Sequence, residues 1–258
     1  MSLSLIIVLF CIGLIGSFIS GMLGIGGAII KYPMLLYIPA AFGVASFTSH
    51  EVSGITAVEI LVTSISGVLA FRKGNYLNIS LIVTMGISVL VGSLIGSFAS
   101  SGFSEGQVNI VYGVFAILAA ILMLIPRKQI PESAENVTFN KPLAAILAFI
   151  VGIGSGIVGA GGGFLLVPIM LVILKIPTRV TVASSLAITF ISSIGGSIGK
   201  ITTGQVEWLP VIVLAIASVI AAPLGAKAAK KMNTKALQLL LSILILATAI
   251  KIWIDILM

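Results

Sequence analysis

Charged residues are scarce in this chain. They account for 8% of its 258 residues, while hydrophobic residues account for 59%. Soluble domains are roughly one quarter charged, because polar groups must cover their surfaces. A chain with so little charge cannot enclose its apolar side chains in one aqueous core. It is therefore predicted to lie in a lipid bilayer.

Cysteine and histidine are nearly absent as well. The chain has one cysteine, Cys11, which lies in an apolar run, and one histidine, His50. A single cysteine excludes an intrachain disulfide and a cysteine-based metal site. His50 begins the segment HEVSG, which lacks the second histidine of the helical zinc motif. No metal or other cofactor is therefore predicted.

The net charge of +7 does not indicate a nucleic-acid partner. A nucleic-acid surface needs a dense basic patch, often interleaved with aromatic side chains, and neither feature is present. The basic residues lie instead at the ends of apolar runs, where membrane topology signals are found. The lipid bilayer is the predicted partner, and these patterns define no oligomeric state.

Glycine, by contrast, is concentrated in two clusters that repeat each other. Residues 21–36 read GMLGIGGAIIKYPMLL and residues 156–171 read GIVGAGGGFLLVPIML, so a shift of 135 positions aligns them without a gap. Further along, Gly74 aligns with Gly204 at a shift of 130. The chain is predicted to be a duplicated membrane unit, an organisation typical of transporters whose site lies between the halves.

Apolar runs of about 20 residues predict the spanning helices. These runs are 3–23, 48–71, 79–99, 107–126, 142–158, 180–202, 208–226 and 236–257. Two shorter runs, 28–42 and 163–174, follow the glycine clusters. The predicted fold is an all-α integral membrane protein with about eight spanning helices plus broken or re-entrant arms. The first run lacks the basic start of a cleavable signal peptide and is expected to be retained.

Basic residues predict the orientation of the helices, because cytoplasmic loops carry an excess of Lys and Arg. The predicted cytoplasmic sites contain Arg72 and Lys73, Arg127 to Lys141, and Lys227 to Lys235. Corresponding helices of the two halves then run in opposite directions, so the repeats are inverted. The predicted units are 1–126, a cytoplasmic linker 127–141, and 142–258. Both termini are expected outside a plasma or inner membrane, in a multi-pass protein.

The glycine clusters are predicted to break the helices and to form the binding site. A broken helix exposes unpaired N–H groups at the start of its second arm, where the helix dipole favours an anion. The candidate residues of the breaks are Gly24, Gly26, Gly27, Ala28, Gly159, Gly161, Gly162 and Gly163. The alternative is that these glycines only allow close packing of membrane helices.

Polar stripes follow two of the predicted spans. Ser49, Ser53, Thr56, Glu59, Thr63 and Ser66 share one helical face, as do Thr181, Ser185, Thr189, Ser192, Gly196 and Gly199. Both stripes are predicted to face the interior of the bundle. Thr56, Ser185 and Thr189 are candidate substrate ligands.

Three ionisable residues at membrane depth are functional candidates. Lys31 either complements an anionic substrate or snorkels to the interface, and its counterpart in the repeat is Leu166. Glu59 either carries a coupling proton, pairs with Lys31, or is satisfied by neighbouring hydroxyl groups. His50 belongs either to a proton relay or to the interface. Lys200, near a predicted outer helix end, is expected to snorkel.

The glycine segments GMLGIGGAIIKYP and GIVGAGGGFLLVP, set in two halves of four main spans, resemble the TauE/SafE family of sulfite exporters. The segments SISGVLAFRKGNY and GGSIGKITTGQV are also similar to that family. The resemblance covers essentially the whole chain. It implies movement of small sulfur-containing anions such as sulfite or sulfonates, with a central site at 24–28 and 159–163.

The leading functional hypothesis is a secondary transporter of a small sulfur-containing anion that works by alternating access. No phosphate-binding loop of the Gly-x-x-x-x-Gly-Lys type is present, so coupling to a proton or another ion is expected instead of direct ATP use. The alternatives are an anion channel and a transporter of small carboxylates. An intramembrane enzyme is disfavoured, because the chain offers no evident nucleophile and base pair.

Overall fold

The structure, a computed structural model, describes residues 2–71, 76–125 and 137–257, and this part of the chain is helical. The α-helices are α1 (Leu3–Leu23), α2 (Ala28–Ala41), α3 (Ser49–Phe71), α4 (Ile79–Ala99), α5 (Glu105–Leu124), α6 (Lys141–Val158), α7 (Gly163–Pro168), α8 (Thr178–Thr202), α9 (Trp208–Lys231) and α10 (Thr234–Leu257). A 3₁₀ turn, Ser100–Gly102, follows α4, and a π-helical segment, Ile169–Ile173, continues α7. The predicted topology signals Arg72, Lys73, Arg127 and Lys128, and the aligned Gly74, lie outside the described residues.

Seven helices of the described residues are long and apolar enough to cross a membrane, namely α1, α3, α4 with its 3₁₀ turn, α5, α6, α8 and α9. Helix α10 contains 24 residues. The shorter apolar helices are those that follow the two glycine clusters. The prediction of an all-α integral membrane protein with broken arms is confirmed, and most helix bounds differ from the predicted runs by only a few residues.

Short polar residues begin several of these helices. The side chains of Ser2, Asn78 and Asn140 accept hydrogen bonds from the first turns of α1, α4 and α6. Ser104 and Gln107 form a reciprocal capping box at the start of α5. Such caps satisfy N–H groups that have no acceptor within the helix. The sequence therefore defines where the spans begin, independently of the membrane.

Small residues form the same helix–helix contact twice, each time between a helix of one half and a helix of the other. A Cβ atom added to Gly21 of α1 would lie 2.1 Å from the carbonyl oxygen of Ala222 in α9. A Cβ atom added to Gly156 of α6 would lie 2.3 Å from the carbonyl oxygen of Ser93 in α4. Since α1 corresponds to α6 and α9 to α4, the same packing occurs twice. Membrane helices approach closely through small residues in this way.

Helices α3 and α8, which also correspond, are antiparallel. Gly54 near the start of α3 lies against Gln205, just past the end of α8, because an added Cβ would be 1.9 Å from that carbonyl oxygen. Gly67 near the end of α3 lies against Leu186, in the first half of α8. Corresponding helices that run in opposite directions are the geometric signature of an inverted repeat.

The segment that contains the second break enters and returns at one end of the molecule. Asn78 N–H donates to Ser184 Oγ at 3.1 Å, and Gln238 donates to Thr178 at 2.6 Å, so α4, α8 and α10 start at one end. Helix α6 packs in parallel with α4, and it therefore starts at that end too. Residues 141 and 178 lie on the same side of the bundle, which makes the intervening segment re-entrant.

Candidate functional site

Glycines in the left-handed backbone region form both breaks. The φ angles are 75° for Gly24, 72° for Gly26, 89° for Gly27, 71° for Gly159, 62° for Gly161 and 74° for Gly162. Other residues pay a steric penalty in this region, whereas glycine adopts it readily. The duplicated glycine pattern therefore encodes a duplicated backbone conformation, and packing alone does not account for it.

The two breaks converge on Thr189 of α8 and Ile60 of α3. A Cβ atom added to Gly26 would lie 2.5 Å from Thr189 Cγ2, and one added to Gly161 would lie 2.9 Å from the same atom. A Cβ atom on Gly163 would lie 2.6 Å from Thr189 Oγ1 and 2.6 Å from the backbone of Ile25. The predicted site residues of both halves are thus brought together, with Thr189 between them.

The second arms begin at this meeting point. The N–H groups of Lys31 and Leu166 donate to the carbonyl oxygens of Gly27 and Gly162, each at 2.9 Å. The N–H groups of Ile30 and Leu165 reach the same two carbonyl oxygens at 3.1 Å. The donors without an acceptor inside the helix are therefore those of the residues that precede them in each first turn. They also carry the positive end of the dipole of that helix. Ala28 begins α2, so its backbone belongs to the same first turn.

Buried hydroxyl groups near the breaks have no hydrogen-bond partner within the described residues. They belong to Ser20, Ser53, Thr189 and Ser192. Buried polar atoms are nearly always bonded, so each exception calls for an explanation. Thr189 touches both breaks, and the backbone of Ser53 lies 1.9 Å from a Cβ atom built on Gly159. A ligand bound between the breaks would have the hydroxyl of Thr189 as a donor.

The other two predicted hydroxyl ligands have intramolecular acceptors. Ser185 Oγ donates to the carbonyl oxygen of Gly24 at 2.7 Å, which ties α8 to the end of α1. Thr56 Oγ1 donates to the carbonyl oxygen of Val52 at 2.8 Å, within its own helix. Ser185 therefore positions the first break. The assignment of Thr56 to the substrate stays a prediction.

Lys31 and Glu59 form a fully buried ion pair. Lys31 Nζ lies 2.6 Å from Glu59 Oε1, and both side chains are 0% exposed. Lys31 also donates to Thr63 at 3.0 Å. Its stem runs over Gly16, where an added Cβ would lie 2.5 Å from Lys31 Cγ. The interpretation of Lys31 as a snorkelling residue is wrong, because Glu59 provides a closer partner than the interface.

Hydroxyl groups donate hydrogen bonds to one carboxylate oxygen of Glu59 but not to the other. Oε1 accepts hydrogen bonds from Thr63 and Ser218 in addition to Lys31, and Ser218 is in turn 2.6 Å from Ser17. Oε2 is buried and has no partner within the described residues. A buried carboxylate oxygen with free lone pairs is a place where a proton can bind.

His50 lies at the N-terminal end of α3, whereas Glu59 and Thr63 lie near the middle of that helix. It precedes Glu59 by nine residues, roughly 14 Å along a helix axis, and no direct contact joins the two. Its ring nitrogens lie 2.9 Å from the carbonyl oxygen of Phe103 and 3.1 Å from Gln205 Oε1. A role of His50 in proton coupling stays a prediction.

Sequence reasoning missed Ser17 and Ser218 as part of this network. They lie in apolar runs without a polar stripe, and their partners come from other helices. The i, i+3 spacing of Ser17 and Ser20, next to Gly16 and Gly21, is the signal that was available. Among the described residues, no group of three or more His, Cys, Asp or Glu side chains is placed to hold a metal ion.

Two inverted helical halves that meet at paired helix breaks are characteristic of secondary transporters. A family model described as Sulfite exporter TauE/SafE matches residues 9–252. The chain belongs to this family, which confirms the resemblance noted in the sequence.

Relatives are named as transporters as well. The chain is similar to the probable membrane transporter protein YunE of Bacillus subtilis, with 27% identity over 93% of this chain and 94% of that protein. It is 29% identical to a probable membrane transporter protein of Methanocaldococcus jannaschii over 92% of this chain and 90% of the relative. A third such protein, from Xylella fastidiosa, is 32% identical over 78% of this chain and 73% of the relative.

No solved structure matches the chain. The family and the relatives identify it as a multi-pass membrane transport protein, and they point to a transporter and away from an enzyme.

Proposed function

We propose that this protein is a secondary transporter of a small sulfur-containing anion, sulfite or an organosulfonate, and that it works by alternating access. The name of the family supports the class of substrate. The observation that carries the proposal is the convergence of both glycine breaks on Thr189, whose buried hydroxyl has no partner within the described residues.

The anion binds between the two breaks in this proposal. The first-turn N–H groups of α2 and α7 and the hydroxyl of Thr189 donate to its oxygens. Sulfite and sulfonates present three oxygens on one sulfur atom, which suits donors arriving from several sides. The absence of Cβ atoms at Gly26 and Gly161 lets the backbone approach, because such atoms would already crowd Thr189.

The inverted halves supply the alternating movement. One re-entrant segment enters from each end of the bundle, and the antiparallel α3 and α8 lie between them. Rocking of the two halves against each other would open one end of the bundle while the other end closes. This is the usual mechanism of inverted-repeat transporters.

Glu59 couples transport to a proton in this proposal. A proton on Oε2 would neutralise the carboxylate and weaken its hold on Lys31, since both are buried. Lys31 lies on α2, the arm that follows the first break, so the ion pair links the protonation state to the position of that arm.

Transport by purified protein in liposomes tests the function. We expect internal unlabelled sulfite to accelerate the uptake of radiolabelled sulfite, because a carrier exchanges substrate across the membrane. An anion channel would instead give uptake without acceleration, together with single-channel currents. Preference for a small carboxylate over sulfite and sulfonates in the same assay would contradict the proposed substrate class.

The proposed orientation places both termini outside a plasma or inner membrane, with 127–141 as a cytoplasmic linker between units 1–126 and 142–258. Ser101 and Asn233 are exposed at opposite ends of the bundle. In a Cys11→Ser background, an impermeant thiol reagent added to intact cells should label Ser101→Cys and spare Asn233→Cys. The reverse pattern would overturn the orientation and leave the fold unchanged.

A further inference from the structure

Lys200 and His50 meet in a polar junction that the proposed transport site does not use. Lys200 is 0% exposed, so it does not snorkel as predicted. Its Nζ donates to Ser100 Oγ at 2.8 Å, to the carbonyl oxygen of Ile157 at 2.9 Å and to Gln205 Oε1 at 2.8 Å. His50 approaches the same Gln205 oxygen. The junction joins α3, α8 and the ends of α4 and α6.

Lys200 Nζ faces three acceptors in this arrangement. The carbonyl group of Ile157 can only accept. Ser100 uses its own proton to donate to the carbonyl oxygen of Ser97 at 2.7 Å, so it accepts from Lys200. An ammonium group has three donors and no acceptor, which matches three accepting neighbours.

The side-chain amide of Gln205 has a defined orientation. Its Nε2 donates to Thr203 Oγ1 at 2.8 Å, and that hydroxyl donates in turn to the carbonyl oxygen of Gly199 at 2.7 Å. A flipped amide would direct N–H groups at the Lys200 ammonium, which has no acceptor to offer. Oε1 is therefore the atom that faces both Lys200 and His50.

The ring of His50 lies between two acceptors. Nε2 faces the carbonyl oxygen of Phe103 at 2.9 Å, and Nδ1 faces Gln205 Oε1 at 3.1 Å. Lys200 and the His50 ring thus converge on one uncharged amide oxygen.

No salt bridge between a carboxylate and Lys200 or His50 is found among the described residues. Glu59 pairs with Lys31 instead. Of the acidic groups around His50, Glu51 accepts from Thr48 and Glu105 accepts from the N–H of Ser49. Glu207, which begins the next helix, is exposed. Buried charge is costly unless it is paired, so the junction lacks a negative charge.

We propose that this junction is a second anion-binding site, distinct from the site at the glycine breaks. A small oxyanion such as sulfite or sulfate replaces Gln205 Oε1 and accepts from Lys200 and His50 together. Without the anion, Gln205 Oε1 occupies the position that an oxygen of the anion would take. The junction lies at the predicted outer end, where an anion enters or leaves the transport path.

The single histidine of the chain makes this site directly measurable. Protein isotope-labelled at the histidine ring nitrogens is purified in an uncharged detergent and titrated with sulfite or sulfate while nuclear magnetic resonance reports His50. We expect a saturable change in the ring-nitrogen signals of His50, because the anion would replace Gln205 Oε1 beside the ring. No saturable response to either anion would overturn the proposal.

Two variants have opposite expected effects. Lys200→Gln removes the charge and should weaken the apparent affinity about tenfold or more, since a hydrogen bond to a charged group is lost. Gln205→Ala removes the oxygen that competes with the anion, so it should strengthen the apparent affinity. This variant tests the proposal even if Lys200→Gln does not fold. Equal affinities in wild type and Gln205→Ala would contradict the replacement of Gln205 Oε1.

Two controls separate this site from other sources of the signal. Gly161→Leu blocks the proposed transport site and should leave the His50 response unchanged, so failure of one site does not imply failure of the other. A short-chain anionic phospholipid carries the same oxyanion chemistry on a lipid. Saturation by that lipid alone, without a response to sulfite or sulfate, would refute a site for free anions.

Discussion

The two repeats share a backbone and differ in charge at the same two positions. In the first repeat, Lys31 on α2 pairs with Glu59 on α3 at 2.6 Å. The aligned positions of the second repeat are Leu166, at a shift of 135, and Thr189, at a shift of 130. The first repeat has a satisfied ion pair, while the second has an uncharged hydroxyl without a partner among the described residues.

The residues that surround these two positions also differ between the repeats, in keeping with the size of the side chain that each repeat holds. Lys31 runs over Gly16, whose counterpart at a shift of 135 is Val151. Val151 fills the corresponding space, and a Cβ atom added to Gly162 would lie 3.1 Å from it. Glycine thus makes room for a lysine in one repeat, and a buried valine and a buried leucine occupy the aligned positions of the other. Duplication preserved the breaks while the side chains beside them diverged. Under the proposed function, the first repeat would supply the coupling group and the second the anion ligand.

The largest expected effect comes from the breaks that the repeats share. Gly161→Leu should abolish transport, because its side chain would occupy the space beside Thr189 and Ile60. Gly43→Leu is the matched control, since Gly43 has a φ of 63° and nothing lies within 4 Å of its added Cβ. Sulfite uptake at equal membrane levels measures both. If Gly161→Leu took up sulfite at the wild-type rate, the glycine break would serve helix packing and not substrate binding.

Removing one partner of the ion pair is expected to have the next largest effect. Lys31→Met or Glu59→Gln leaves a polar or charged group unpaired in the interior, which typically costs about 3–5 kcal/mol. Folded yield and the unfolding temperature in detergent should fall clearly for both variants. Lys227→Met, which changes an exposed lysine, should alter neither quantity. Normal stability of both single variants would show that the pair is dispensable for the fold.

A variant that carries residues of the second repeat at three positions of the first repeat tests the difference between the repeats directly. The triple variant Gly16→Val, Lys31→Leu, Glu59→Thr should recover folded yield, because no unpaired charge remains and the lysine space is refilled. Binding of sulfite should persist, and the pH dependence of transport should disappear along with the proton acceptor. Transport that keeps the wild-type pH profile in this variant would exclude Glu59 as the coupling group.

The smallest effect is expected from a single hydroxyl group. Thr189→Val keeps the shape of the side chain and removes the donor, so the dissociation constant for sulfite should rise about tenfold. Thr56→Val is its control, because that hydroxyl donates to the backbone of its own helix. Calorimetric or fluorescence titration of purified protein measures both. Equal losses in the two variants would argue against a specific role for Thr189.

The sequence predicted the helices and their breaks well, because local signals specify both. Apolar runs defined the spans, and the glycine clusters marked positions where only glycine adopts the backbone conformation without penalty. The inverted arrangement followed from the basic residues near helix ends, and the antiparallel packing of α3 and α8 agrees with it.

Side-chain partners were harder to predict, because they depend on how helices from different parts of the chain are rotated toward each other. Both Lys31 and Lys200 suited snorkelling by their positions, and both are buried against partners from other elements. The pairing of Lys31 with Glu59 was one of several open alternatives. Ser218 reaches Glu59 from a helix that begins 149 residues later in the chain, a proximity that no local pattern encodes.

The re-entrant segments have a consequence for how such a protein arises by gene duplication. Each repeat has three helices that run from end to end, α3 to α5 or α8 to α10, while the broken segment starts and finishes on one side. Three is odd, so a tandem copy emerges on the opposite side and inserts upside down without any change in its own sequence. If the break were straightened into one more crossing, the number would be even. The two copies would then point the same way, and the two glycine breaks would no longer approach the membrane centre from opposite faces.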